Sequence, residues 1–213
     1  MTLDVLLAVL EGVPVTVVLT IGALLIGAVG AIPLLILRQS RLLPVSIIAR
    51  AMIELFRGIP PIVWLFIVYF GLATVVRLDS MTAAMLGLGV ISTAYMAEIY
   101  RGGLAAVAKG QWEASAALGM PRATVLTRIV GPQVARISVP AAATYGIGLL
   151  KDTSVAYTIG VTDVLYFANE QSRTTTDPFW PFVVAALVYI VMSVPCAWGS
   201  RRLDATLRQR VAR

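Results

Sequence analysis

Residues 94–132 read AYMAEIYRGGLAAVAKGQWEASAALGMPRATVLTRIVGP. This stretch is polar, helix-prone and partly basic, yet strongly apolar segments stand on both sides of it. Charged residues are only 13% of the 213-residue chain, where a soluble domain carries about 25%. Mean hydropathy is +0.87. The pattern is that of an all-α, polytopic membrane protein with an ordered insert between its spans. An insert with this much pattern implies that something docks on it; the plainer alternative is a loop packed under its own helices.

A membrane helix needs roughly 20 apolar residues to cross about 30 Å of hydrocarbon. Residues 12–37 are free of charge and give a first span. Residues 58–76 lie between Arg57 and Arg77, and residues 80–97 between Asp79 and Glu98, giving a second and a third. Residues 179–200 give the last, with Trp180 and Trp198 near its two ends as an aromatic belt places them. Between the insert and that last span, residues 130–162 are apolar apart from Arg136 and the pair Lys151-Asp152. One span is required there, making five, and its register has two solutions. Either it begins early and carries Arg136 at one end, or it runs on through residues 155–162 and buries Lys151-Asp152 near mid-depth. The N-terminal run MTLDVLLAVLEGVPV has Asp4 and Glu11 but no basic residue. It therefore reads as leading into a retained span, not as a signal peptide. A single domain over residues 1–213 is expected.

Basic residues set the orientation. Arg38, Arg41, Arg50 and Arg57 lie in the loop expected over residues 38–57, after the first span. Arg101, Lys109, Arg122, Arg128 and Arg136 lie in or beside the insert, and Arg201, Arg202, Arg208, Arg210 and Arg213 in the tail. Fourteen of the seventeen Lys and Arg thus fall on one side. By the positive-inside rule that side is the cytoplasm, with the N-terminus outside and the C-terminus inside. The net charge of +6 is largely this topology signal. Nucleic-acid binding needs a basic surface on a folded domain, and none is left over. The bland reading of the basic tail is attachment to anionic membrane lipid.

Several chemistries are excluded. The chain has no His and one Cys, Cys196, so it forms no internal disulfide and offers no His-based acid–base pair or zinc site. It lacks a Gly-x-x-x-x-Gly-Lys-Ser/Thr run and cannot hydrolyse ATP by that route.

Within the insert, residues 111–118 are good helix formers, and Gly119 sits where a glycine ends a helix. Pro121 fits the first turn of a new helix. Gly102-Gly103 and Gly110 are expected to interrupt helix earlier. Ala114, Ser115, Ala116 and Ala117 are small enough for another surface to come close, and Trp112 and Leu118 offer apolar anchors. Glu54 and Arg57 are spaced to pair on one helical face, and Glu98 and Arg101 read as snorkelling charges at a span end. Glycines at 22, 27, 30, 87, 89, 146 and 148 favour close helix packing.

The insert resembles the signature of the inner-membrane permease subunits of ABC importers. Glu113, Ala114, Gly119, Ile129 and Pro132 match that signature, while Ser115 stands for its second Ala and Gly131 for its Leu. Four further blocks are similar to the polar amino-acid uptake branch: Glu54 to Pro60 (ELFRGIP), Ala94 to Gly103, Lys109-Gly110-Gln111 and Lys151-Asp152-Thr153-Ser154. Together the matches run over most of the chain.

The resemblance implies a type I ABC importer permease fold in a bacterial inner membrane. It implies that Gly110, Gln111, Trp112, Glu113, Ala114, Ser115, Ala116, Ala117, Leu118 and Gly119 form a coupling helix. That helix engages a cytoplasmic ATP-binding subunit dimer, which carries ATP and Mg; no cofactor is expected on this chain. Glu113 is expected near the start of the helix, where a carboxylate suits the dipole, either touching the partner or capping. Five helices do not enclose a pathway, so a second copy or a sister permease is implied. An extracytoplasmic solute-binding protein would deliver an amino acid or amino-acid-like solute. Lys151, Asp152, Thr153 and Ser154 are candidates to meet its ammonium and carboxylate. The alternatives for them are a structural ion pair or a headgroup-level turn. A channel or ion-driven carrier is the competing function.

Overall fold

The computed structural model describes residues 2–209, and all regular structure among them is helical. Thr2–Leu10 (α1) breaks at Glu11-Gly12 and continues as Val13–Arg38 (α2). Leu43–Gly58 (α3) is followed by Pro61–Phe66 (α4), which widens into a π-helical turn over Ile67–Gly71. Ser80–Ala105 (α5), Lys109–Ala117 (α6) and Arg122–Thr124 (α7) come next. A second π-helical turn, Val125–Val130, leads into Gly131–Asp152 (α8) and a tight 3-10 segment, Thr153–Ile159. Val164–Thr174 (α9) and Trp180–Gln209 (α10) complete the order. Arg210 and Arg213 of the basic tail lie outside the described residues.

The pair α2 and α5 is the spine, and small residues make it. A Cβ on Gly27 would collide with the Ser92 Cβ and stand 2.7 Å from the Ser92 carbonyl carbon. A Cβ on Gly89 would stand 2.7 Å from Ile26. Gly22 lies against Met85 and Gly30 against Thr93. Residue numbers rise together along both helices, so the two run parallel. Along α8 they run oppositely: Gly103 meets Val134 and Ser138, whereas Ser92 meets Tyr145. Beyond α8, Gly160 approaches Ser80 and the backbone of residues 163–164 touches Gly12. Residues 131–163 therefore travel the whole length of the α2–α5 pair.

Because α2 and α5 are parallel, the chain between them must return to its starting end. It does so in pieces. Ala49 and Ile53 of α3 cluster with Ala31, Leu34 and Ala94, and Leu65 of α4 lies against Gly87. Pro60-Pro61 explains the break: neither residue supplies an N–H, and Pro61 suits a first helical turn. The two helical pieces meet at 104°.

Three stretches are long and apolar enough to cross a membrane, namely Leu3–Arg38, Ser80–Ala105 and Trp180–Thr206; the bent pair would be a fourth. α8 has the length, at 22 residues, but Gln133, Arg136, Thr144 and Lys151-Asp152 dilute its apolar character. Three expectations change. Most of residues 38–57 is helix, not loop, with Ser46, Ala49 and Ile53 buried at helical spacing. The second span is not one straight helix. The third runs on to Ala105, so Gly102-Gly103 interrupts nothing. Gly103 instead lets α8 approach, since a Cβ there would collide with Ser138 Oγ.

At the far end, Asp163 and Val164 together tie three elements to one another. The Asp163 carboxylate accepts from the Tyr166 N–H at 2.8 Å, capping α9, and from the Tyr189 hydroxyl of α10 at 3.3 Å. Thr16 Oγ1 of α2 accepts from the Val164 N–H at 3.3 Å. Asp163 is fully buried. Asp163→Ala leaves both donors unanswered and is expected to cost about 2 kcal/mol. A thermal unfolding midpoint in detergent, several degrees lower than for Asp163→Asn, checks this.

Candidate functional site

The polar insert folds into a compact hairpin. α6 opens at Lys109 without a side-chain cap, two residues earlier than the sequence suggests. It closes on Gly119, whose φ of +63 places it in the left-handed region that glycine enters at no steric cost. The Met120 N–H donates to Ser115 O at 3.1 Å and the Gly119 N–H to Ala116 O at 3.0 Å. This is the Schellman pair of bonds that satisfies a helix's last carbonyls. Pro121 stands just before the first residue of α7, one position ahead of the expected first turn.

α6 has two faces. Ser115 is buried and donates to Gln111 O at 2.6 Å. Trp112, Ser115 and Ala116 line a cavity of about 330 Å³ against Met120, Val125 and Leu126. On the other face Gly110, Glu113, Ala114 and Ala117 recur at helical spacing and are exposed, as is Gln111. Leu118 is 77% exposed at the tip. Glu113 is the fifth residue of α6 and caps nothing, which corrects its expected place at the helix start.

The hairpin is tied to the bundle. Val107, Val125 and Val130 form a buried cluster joined by Leu104, Met120 and Val134. From α7 through the π-helical turn to α8 the helical path is unbroken. The π-helical turn has a local cause. Pro132 has no N–H and its ring would press on the carbonyl four residues back, which a widened turn removes. Gly131 is needed there, since a Cβ would fall 2.5 Å from the Leu126 carbonyl oxygen. The departure from leucine at 131 is thus matched to this turn.

The second candidate group divides. Lys151 and Asp152 end α8 and are exposed. Thr153 is fully buried and donates to Leu150 O at 2.8 Å, and Ser154 is half-buried. The four do not share one surface. Beside them lies a column that sequence reasoning missed. Arg57 stacks on Tyr95 at 5.0 Å, in place of the expected Glu54 pair, and Tyr95 stacks on Tyr145 at 4.9 Å. The Tyr145 hydroxyl and Ser92 Oγ are 2.9 Å apart. A third group joins α2 to α5: Glu98 pairs with Arg38 and, at 3.0 Å, with Arg101. Glu98 and Arg38 are far apart in the chain, and no periodicity links them. At the opposite end, Asp79 caps α5; its bond from Thr82 holds its carboxyl below the ordinary range.

The family model described as "Binding-protein-dependent transport system inner membrane component" matches residues 23–209. The probable amino-acid permease protein YxeN of Bacillus subtilis (strain 168) is 31% identical over 189 residues, 87% of this chain and 84% of that one. The arginine transport system permease protein ArtQ of the same organism is 33% identical over 202 residues, 94% of this chain and 92% of that one. A solved structure described as "Crystal structure of an amino acid ABC transporter with histidines" superposes with a TM-score of 0.86 at 30% identity, covering 93% of this chain and 94% of that one. The MetNI methionine ABC transporter in an inward-facing conformation gives 0.79 at 18% identity over 93% and 95%, a likeness of fold alone. None of these is a channel or an ion-driven carrier.

Proposed function

We propose a working cycle from one premise: the chain belongs to the binding-protein-dependent transport system inner membrane component family and is a permease subunit of an ABC importer. It is a multi-pass inner-membrane protein, and ATP hydrolysis belongs to a separate subunit. Family membership implies ATPase and solute-binding partners and a permease dimer.

The finer reading is ours. α6 is the lever through which a cytoplasmic ATP-binding dimer drives the membrane helices. One observation carries this: α6 is sealed at its end by Gly119, braced beneath by Ser115 and Trp112, and offers a free face of Gly110, Glu113, Ala114 and Ala117. A helix so held transmits a push to α8 without bending. Glu113 then meets the partner, since it caps nothing within its own helix. Substrate-stimulated ATP hydrolysis by the reconstituted transporter tests it, and loss on deleting residues 111–119 is the expected result.

The chain crosses the membrane five times, with the N-terminus outside and the C-terminus in the cytoplasm. The parallel course of α2 and α5 supports this, as it needs one return between them, and so does the full-length travel of residues 131–163. A homodimer or a sister permease completes the pathway. The solute is a polar amino acid or a similar molecule delivered by the solute-binding protein, as the names of the relatives suggest. Lys151 and Asp152, on the exposed end of α8, contact it. Thr153 is left out, being turned inward. If Lys151→Ala and Asp152→Ala each raise the half-saturating solute concentration several-fold while α6 still couples, the assignment stands. Unchanged affinity and rate in both would remove it.

A further inference from the structure

We propose that the shared end of α2, α3 and α5 carries a binding site for the phosphate headgroup of an anionic phospholipid. A cavity of about 530 Å³ opens at the α2–α3 turn, lined by Arg38, Gln39, Ser40, Ser46, Arg50 and Arg101. Every lining residue is polar, and three guanidinium groups reach it from three separate helices. Glu98 offsets part of this charge through its pairs with Arg38 and Arg101. Arg50 enters no ion pair among the described residues, so the wall keeps an excess of positive charge. Planar guanidinium groups match phosphate oxygens in pairs, which single ammonium groups do not.

The surroundings name the source of the phosphate. Ile36 and Leu37 of α2, Leu42 of the turn, and Leu43 and Ile47 of α3 are all exposed, from 47% to 70%. A lipid sets its headgroup in a basic pocket and its acyl chains along such a surface; a soluble phosphate has no use for it. Basic pockets between helices at the cytoplasmic face hold anionic headgroups in membrane proteins generally. The inference rests on the reading that this end of the chain faces the cytoplasmic leaflet.

The test uses the assembled transporter in bilayer discs of phosphatidylcholine with added spin-labelled phosphatidylglycerol. The wild-type protein is expected to retain phosphatidylglycerol over spin-labelled phosphatidylcholine. Arg50→Gln is expected to weaken that retention about five-fold, the effect of one surface guanidinium. No preference in the wild type overturns the site, whether or not the variant folds. So does an equal loss in Arg128→Gln, an exposed arginine outside the cavity lining, which would mark a general charge effect. Displacement by inorganic phosphate as readily as by lipid would also overturn it, as a soluble-phosphate site. Both faces of a disc are open, so selectivity does not depend on insertion. Impermeant thiol labelling of Gln39→Cys in a Cys196→Ser chain, compared in intact cells and inverted vesicles, reports orientation separately.

Discussion

A chain in which residues 111–119 are replaced by a Gly-Ser run of equal length inserts and dimerises, but its ATP-binding partner no longer responds to substrate. Transport falls to background. The expectation follows from how α6 is built. Its outward face has no contact within the chain that the bundle needs, while Trp112, Ser115 and Ala116 on its inner side line a cavity shared with Met120, Val125 and Leu126. Removing it therefore spares the spine of α2 and α5 and removes only the lever. A graded version isolates the backbone. At Gly119 no atom lies within 4 Å of an added Cβ, so a substitution there meets no clash. The φ of +63 still penalises it. A side chain in the left-handed region costs about 1–2 kcal/mol, and a β-branched one more. Gly119→Val is expected to lower substrate-stimulated hydrolysis about ten-fold, matching about 1.4 kcal/mol, with Gly119→Asn close to wild type. Equal activity in all three would mean that the end of α6 has no part in coupling.

Gly27→Val is expected to prevent the protein from accumulating at all. Its first carbon alone would collide with Ser92 Cβ and stand 2.7 Å from the Ser92 carbonyl carbon. Neither atom is the far end of a flexible side chain, so α2 and α5 must separate. Overpacking costs about 1–3 kcal/mol where side chains can adjust, and here backbone must move. The same separation would disturb the contact between Gly89 and Ile26 and that between Ser92 and Tyr145. Gly148→Val is the control, with nothing within 4 Å of its Cβ. Membrane-fraction yield and the gel-filtration profile of the two variants distinguish packing from a general intolerance of valine. Normal yield for Gly27→Val would mean that the close approach of α2 and α5 is not required.

The parts of the structure that repeat at short range are legible in the sequence. The charge-free run of α2, the glycine stop at 119 and the glycines of α2 and α5 that permit close packing all rest on local pattern. Other features escape for identifiable reasons. Arg50, Glu54 and Arg57 interrupt the apolar run of α3, so its buried face of Ser46, Ala49 and Ile53 is hidden among charges and resembles loop. Pro60-Pro61 marks a break, but nothing local says that the next helix turns by 104°. Gly110 suggests interruption and so delays the expected start of α6, whereas a glycine near a helix start costs little. Pairings such as Glu98 with Arg38, and Arg57 with Tyr95, join residues brought together only by the bundle. Lys151 and Asp152 stand out as charges in an apolar run. Thr153 is buried beside them, and nothing in the composition distinguishes its inward side from theirs.

Disulfide trapping between α6 and the ATP-binding subunit is the most direct single test. Ala117→Cys places a thiol on the free face of α6, in a Cys196→Ser chain that removes the only native thiol. In the assembled transporter, mild oxidation is expected to link this residue to a cysteine series on the ATP-binding subunit, with ATP changing the yield. A link that forms with equal efficiency from Thr206→Cys on α10, or none from Ala117→Cys at any position of the series, would contradict docking through α6.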